Sequence, residues 1–133
     1  MVEFSVLQGL VLKSVKSGDD EIRFETDSGR VFVMEHFQDC CESVVIESIT
    51  GDLDDLVGTP ILLAEEASSE ESPPDYIIGD DEYEGDSQTW TFYKLRTIKG
   101  SVDIRWHGES NGYYSESVDF YEVDMINTAI IEN

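Results

Sequence analysis

The sequence predicts a mainly β, single-domain protein: an antiparallel sheet, sandwich or partly open barrel of about 7–8 strands with one short helix near 52–57. Three observations carry this. Apolar and polar residues alternate with period two in EIRFET (21–26), TWTFYKLRTIK (89–99) and VDIRWH (102–107). Turn-forming Gly, Asn, Asp and Ser recur between these runs, and no stretch sustains a helical period for long. At 133 residues, 40% of them hydrophobic, the chain is long enough to bury one core without disulfide staples.

Taken in order, LQGLVLKSVK (7–16) reads as a first strand and Ser17 to Asp20 as a turn. EIRFET follows, Asp27-Ser28-Gly29 closes a hairpin with Gly29 suited to positive φ, and RVFVMEHF (30–37) is its partner, giving a β-meander. SVVIESI (43–49) is the next strand. Asp52 then caps a short helix whose apolar face is Leu53, Leu56 and Val57, with Gly58 as its left-handed stop and Thr59-Pro60 forbidding continuation. ILLAE (61–65) is a buried strand. The stretch 67–87, rich in Ser, Pro, Gly, Asp and Glu, reads as an acidic surface loop or partly disordered insertion. After strands 89–99 and 102–107, the Asn111-Gly112 pair predicts a tight hairpin returning through YYSESVDFYEV (113–123).

Charge is the strongest global feature. Thirty acidic residues face eight basic ones, for a net charge of −22. That balance argues against direct nucleic-acid binding through phosphates, which needs lysine and arginine, and against anionic membrane surfaces. What it leaves is a basic partner, a divalent cation or simple solubility. Between Arg30 and Lys94 there is no base and there are 17 acids; the other 70 positions hold 13 acids and every base. Glu65, Glu66, Glu70, Glu71, Asp80, Asp81, Glu82, Glu84 and Asp86 are the candidate partner-binding residues. The opening MVEFSVLQGLVL shows no signal-peptide pattern, and its apolar run is too short to span a bilayer, so a soluble intracellular chain is expected.

No catalytic motif is present, and a non-enzymatic role without a cofactor is the expectation. One dense cluster, His36, Asp39, Cys40, Cys41 and Glu42, holds metal-ligating types, with zinc the natural ion. Adjacent cysteines on an extended strand point to opposite faces, however, and CxxC spacing is missing. A Cys40–Cys41 disulfide is a rarer alternative. The expected arrangement is one cysteine buried as a small hydrophobe and the other partly exposed, with His36 hydrogen-bonded to Asp39 or Glu42. Neighbouring carboxylates keep a thiol protonated and oppose a cysteine nucleophile. Asp52, Asp54 and Asp55 lack the order of a calcium loop and are better explained as capping residues. A second constellation is aromatic and basic: Trp90, Tyr93, Arg96, Arg105, Trp106, His107, Tyr113 and Tyr114, which could stack a nucleotide and hold its phosphate.

The phrases HFQDCCESVVIESITGDLDDLVGTPILLAEE and RWHGESNGYYSESVDFYEV resemble a functionally uncharacterised family of small acidic proteins from phage and bacterial genomes. The resemblance covers 35–66 and, more loosely, 90–123. It transfers no catalytic role to any residue; it implies a bacteriophage or mobile-element setting and the cytoplasm of the host cell. The resulting expectation is an anti-defence inhibitor, a DNA mimic whose carboxylates stand in for phosphates and block a basic, nucleic-acid-binding host protein. The alternatives are a nucleotide-signal sponge built on the aromatic–arginine residues and a metal protein built on His36, Cys40 and Cys41.

Overall fold

The computed structural model describes residues 1–71 and 87–123. Two four-stranded antiparallel sheets pack face to face, and both fold class and strand number agree with the expectation from sequence. The first sheet has the order β1 (Leu12–Gly18), β2 (Glu21–Thr26), β3 (Val31–Glu35) and β8 (Asp119–Val123). The second has the order β4 (Ser43–Thr50), β7 (Ser101–Ser110), β6 (Ser87–Arg96) and β5 (Leu63–Ser69). The chain therefore changes sheet twice, between β3 and β4 and between β7 and β8. No helix among the described residues is long and apolar enough to cross a membrane.

Alternation sets which side chains face inward. In β2 the buried Ile22, Phe24 and Thr26 alternate with Glu21, Arg23 and Glu25. In β7 the buried Val102, Ile104 and Trp106 alternate with Asp103, Arg105 and His107. The inner faces meet in one cluster that includes Leu12, Phe24, Phe32, Met34 and Phe120 from one sheet and Tyr93, Leu95, Ile104 and Trp106 from the other. The Trp106 indole N–H donates to the Met34 sulfur at 3.2 Å, joining the sheets at a polar atom that would otherwise be buried alone.

The N-terminus supplies the plug between the sheets. Residues Phe4–Leu7, of which only Leu7 was expected to belong to the first strand, form a 3-10 turn that buries Phe4 and Leu7. The Phe4 ring lies 4.6 Å from that of Tyr93, 5.1 Å from Phe120 and 6.4 Å from Phe24. The second short helical element is the 3-10 turn Leu53–Leu56, where Asp52 accepts from the Asp54 N–H at 2.9 Å as the capping residue. Gly58 beyond it takes a φ of 93°, the left-handed stop that its position demands.

Strand ends shift by a few residues, β1 starting at Leu12 rather than Leu7, and two further differences from the sequence reading stand out. β5 runs on through Ala67, Ser68 and Ser69, because each pairs with β6 (Phe92, Thr91 and Trp90) despite its small polar composition. The other difference is topological. Residues 111–118 do not fold back as a hairpin on β7; β8 pairs with β3 in the opposite sheet. The crossing chain passes so close to β7 that a Cβ on Gly108 would lie 2.6 Å from the Glu116 carbonyl oxygen and 2.9 Å from its Cβ.

Two substitutions test this packing. Phe4→Ala removes the ring that touches both sheets and is expected to cost about 3–5 kcal/mol in urea unfolding. Gly108→Ala forces backbone against backbone and is expected to cost about 1–3 kcal/mol by the same measurement.

Candidate functional site

Three groups of polar residues stand out. The first is the loop between β3 and β4. His36 and Glu42 have side chains only 4% and 0% exposed, and the His36 Nε2–H donates to Glu42 at 2.7 Å. The other ring nitrogen, Nδ1, lies 2.8 Å from the Ser117 carbonyl oxygen. Both ring nitrogens thus face acceptor oxygens. Glu42 also accepts from the backbone N–H groups of Asp39 (2.8 Å) and Cys40 (2.9 Å). These donors, the Cys40 amide first, overcome burial and hold its pKa down to about 2. His36 was expected to bond to Asp39 or Glu42, and Glu42 is its partner.

The cysteines depart from expectation. Cys40 and Cys41 are both exposed and are joined in a disulfide, so neither is a buried hydrophobe. The loop turns here around Glu42, which carries both residues outward rather than alternating them across a strand. With the sulfurs bonded to each other and His36 directed at Glu42, the residues His36, Asp39, Cys40, Cys41 and Glu42 do not converge as ligands. Among the described residues no group of three or more His, Cys, Asp or Glu could hold a metal ion.

A matching carboxylate lies beneath the β7–β8 crossing. Glu116, 8% exposed, accepts from the hydroxyls of Thr89 (2.8 Å) and Ser110. Burial pulls its pKa up, but hydrogen bonds from Ser110, Ser87 and Thr89, with the field of His107, outweigh that and leave it lowered.

The second group is the outer face of the β4-β7-β6-β5 sheet. Register places Trp90 opposite His107, Phe92 opposite Arg105 and Lys94 opposite Asp103. The Trp90 and His107 rings lie 4.3 Å apart, the Arg105 guanidinium sits 5.7 Å from the Trp90 ring, and its Nε–H donates to Glu47 at 2.7 Å. Burial lowers the His107 pKa against the opposing pull of Glu109, Glu116 and Glu47. Of the aromatic–basic residues expected from sequence, Trp90, Arg96, Arg105 and His107 therefore share this face. Tyr93 and Trp106 point into the core and are fully buried, while Tyr113 and Tyr114 lie in the 111–118 crossing, Tyr113 being 87% exposed. The nucleotide pocket does not assemble as drawn from sequence.

The third group is the free edge of β5. Among the described residues this strand pairs only with β6 and ends the sheet. Alongside it, against the N-terminal turn, lies a cleft of about 610 Å³ whose lining includes Glu3, Ser5, Gln8, Glu65 and Glu66 and no lysine or arginine. Gln8 accepts from the Ala64 N–H at 3.1 Å, closing the first part of the edge and leaving the rest beyond it. Partial burial raises the Glu66 pKa, with the Tyr93 hydroxyl donating to it and opposing the shift while Glu3 adds to it. Burial, then Glu66, raises that of Tyr93. Glu65 and Glu66 lie in β5, and Glu70 and Glu71 follow its end; Asp80, Asp81, Glu82, Glu84 and Asp86 lie outside the described residues. Glu3 was not foreseen, because only the folded turn brings it beside β5.

The base-free span does not map to one side of the molecule. Its first strand, β3, is in one sheet and β4, β5 and most of β6 are in the other, and Lys94 and Arg96 of β6 stand directly opposite Glu65 and Leu63. At the β5 edge, the cleft lining holds Glu3, Glu65 and Glu66 and no lysine or arginine.

Fold and site together define an acidic two-sheet β-sandwich with a glutamate-lined edge that is open among the described residues. The chain belongs to the DUF7448 family, a domain of unknown function, which matches residues 7–120. No curated protein and no solved structure matches it.

The loop around Glu42 makes a prediction about pH. Folding lowers this pKa, so between the ordinary 4.5 and about 2 the unfolded chain binds the extra proton and the contribution is lost as pH falls. The stability gap between wild type and Glu42→Gln is expected to be full just above pH 4.5 and to close towards pH 2, read from urea midpoints across that window.

Proposed function

We propose that this protein is a non-enzymatic interaction protein of a bacteriophage or mobile element, which binds and blocks a basic segment of a host or defence protein along the edge of β5. The observation that carries the reading is the acidic cleft, lined by Glu3, Glu65 and Glu66, beside a strand edge that is unpaired among the described residues. An edge strand offers backbone N–H and C=O groups to an extended segment, which joins as a further strand. Side chains of that segment alternate between faces. On one face they meet Glu65, which registers with Lys94; on the other they meet Glu66, which registers with Tyr93. Glu70 and Glu71 extend the negative field past the end of the strand. Lysine and arginine at alternate positions of the partner fit this pattern, and the net charge of −22 steers their approach.

Support from the sequence is the resemblance of 35–66 and 90–123 to small acidic phage and bacterial proteins, which gives the setting. A host cytoplasmic location and the absence of direct nucleic-acid binding follow from that setting and from the charge.

The test is capture of basic partners from host lysate, followed by affinity measurement on the purified pair. The quadruple variant Glu3→Lys, Glu65→Lys, Glu70→Lys, Glu71→Lys leaves the Tyr93–Glu66 bond in place. It is expected to weaken binding by at least tenfold, ~1.4 kcal/mol. Wild-type affinity is expected to fall with salt, since the Debye length is already only about 10 Å at 0.1 M. Undiminished binding by the reversed protein overturns the proposal.

A further inference from the structure

The outer face of the β4-β7-β6-β5 sheet holds a cavity of about 330 Å³ whose lining includes Ser48, Thr50, Phe92, Lys94, Asp103 and Arg105. Register lays these out as two cross-strand rows. One runs Ser48, Arg105, Phe92; the other runs Thr50, Asp103, Lys94. The hollow forms because β4 contributes only short hydroxyl side chains here, while β6 raises a phenyl ring on the far side. A bulge between Ile46 and Ser48 accompanies the displacement of Glu47 to the Arg105 guanidinium, where it pairs at 2.7 Å.

Lys94 and Asp103 stand directly opposite, where Cβ atoms are about 4.5–5.5 Å apart, yet they form no ion pair within 4 Å. Two exposed, opposite charges share the floor of one cavity without meeting. The site as a whole has two cations, Lys94 and Arg105, against Asp103, the paired Glu47 and Glu65, which faces Lys94 from β5. A phosphate dianion would meet a net negative site in a strongly negative protein. A simple cation would meet Lys94 and Arg105.

We propose that this cavity binds a small zwitterion with an apolar or ring-bearing portion, the chemistry of a free α-amino acid. Its carboxylate takes the Lys94 ammonium and its ammonium takes the Asp103 carboxylate. The apolar part lies against Phe92, and the Ser48 and Thr50 hydroxyls complete the polar contacts at the β4 wall. Being neutral overall, the ligand is not repelled by the charge of the protein, so its binding depends only weakly on salt. The site is separate in chemistry from the β5 edge, and neither proposal requires the other.

The probes are L-phenylalanine, 3-phenylpropanoate (the same skeleton without the amine), phenethylamine (without the carboxylate) and adenosine monophosphate. Titration of the full chain is followed by NMR shifts of the 48–50, 92–94 and 103–105 amides and by calorimetry. Saturable 1:1 binding of L-phenylalanine is expected, with both single-charge analogues at least tenfold weaker. Lys94→Met and Asp103→Asn are each expected to weaken it tenfold or more at unchanged melting temperature, since both side chains are exposed. No shift with L-phenylalanine up to roughly 10 mM, a regime of marginal affinity, overturns the proposal. So does tighter binding of the monophosphate, or of either single-charge analogue, than of the amino acid.

Discussion

Two buried glutamates hold this fold together at the points where it is least determined by strand pairing. A β-sandwich of this order changes sheet twice, and each change needs a loop that leaves one sheet edge and turns over the core. Buried carboxylates are costly without donors, and here each has its own set. Glu42 gathers the amides of Asp39 and Cys40 with the His36 ring, and Glu116 gathers hydroxyls from β6 and β7. His36 then reaches the Ser117 carbonyl, next in sequence to Glu116, so the two crossings are bonded to each other at one end of the molecule. Phe37 reinforces the join: its N–H donates to Asp119 at 3.0 Å and its ring stacks on Tyr121 at 5.4 Å. Tyr121 in turn donates to Glu35, and burial with that carboxylate pushes its pKa up to about 12.

Fixing the crossings fixes what is left open. With β8 returned to the first sheet, β4 and β5 become the two edges of the second, and the Leu53–Leu56 turn lies on the path between them. β5 then lies beside the N-terminal turn, and the acids of both segments line one groove. The outer face is settled by the same placement: β4 brings hydroxyls next to the charges of β7, and β6 brings the aromatic wall. Both candidate surfaces are thus consequences of topology more than of any local motif.

This explains what could be read in the sequence. Period-two alternation located β2 to the residue, and the Asp52 cap and Gly58 stop located the short turn. Alternation also put Phe92 and Lys94 on one face of β6, and Asp103 and Arg105 on one face of β7. It could not say that these faces coincide, which depends on register. Asn111-Gly112 suggested a hairpin because local turn chemistry carries no information about which sheet the next strand joins. That choice rests on Glu116 and on Gly108, residues whose partners are distant in sequence. The His36–Ser117 bond spans 81 residues and left no local trace. The base-free run was real as sequence and misleading as surface, because pairing set Lys94 and Arg96 beside it.

The edge of β5 has a further effect on the company the protein keeps. Unpaired strand edges invite identical strands to stack against them, the first step towards fibrils and other self-association. A second copy of this chain would bring Glu65, Glu66, Glu70 and Glu71 against the same four acids, and like charges laid side by side along an edge repel. The feature that would admit a basic stranger would therefore turn away the protein's own twin, even when the chain is crowded.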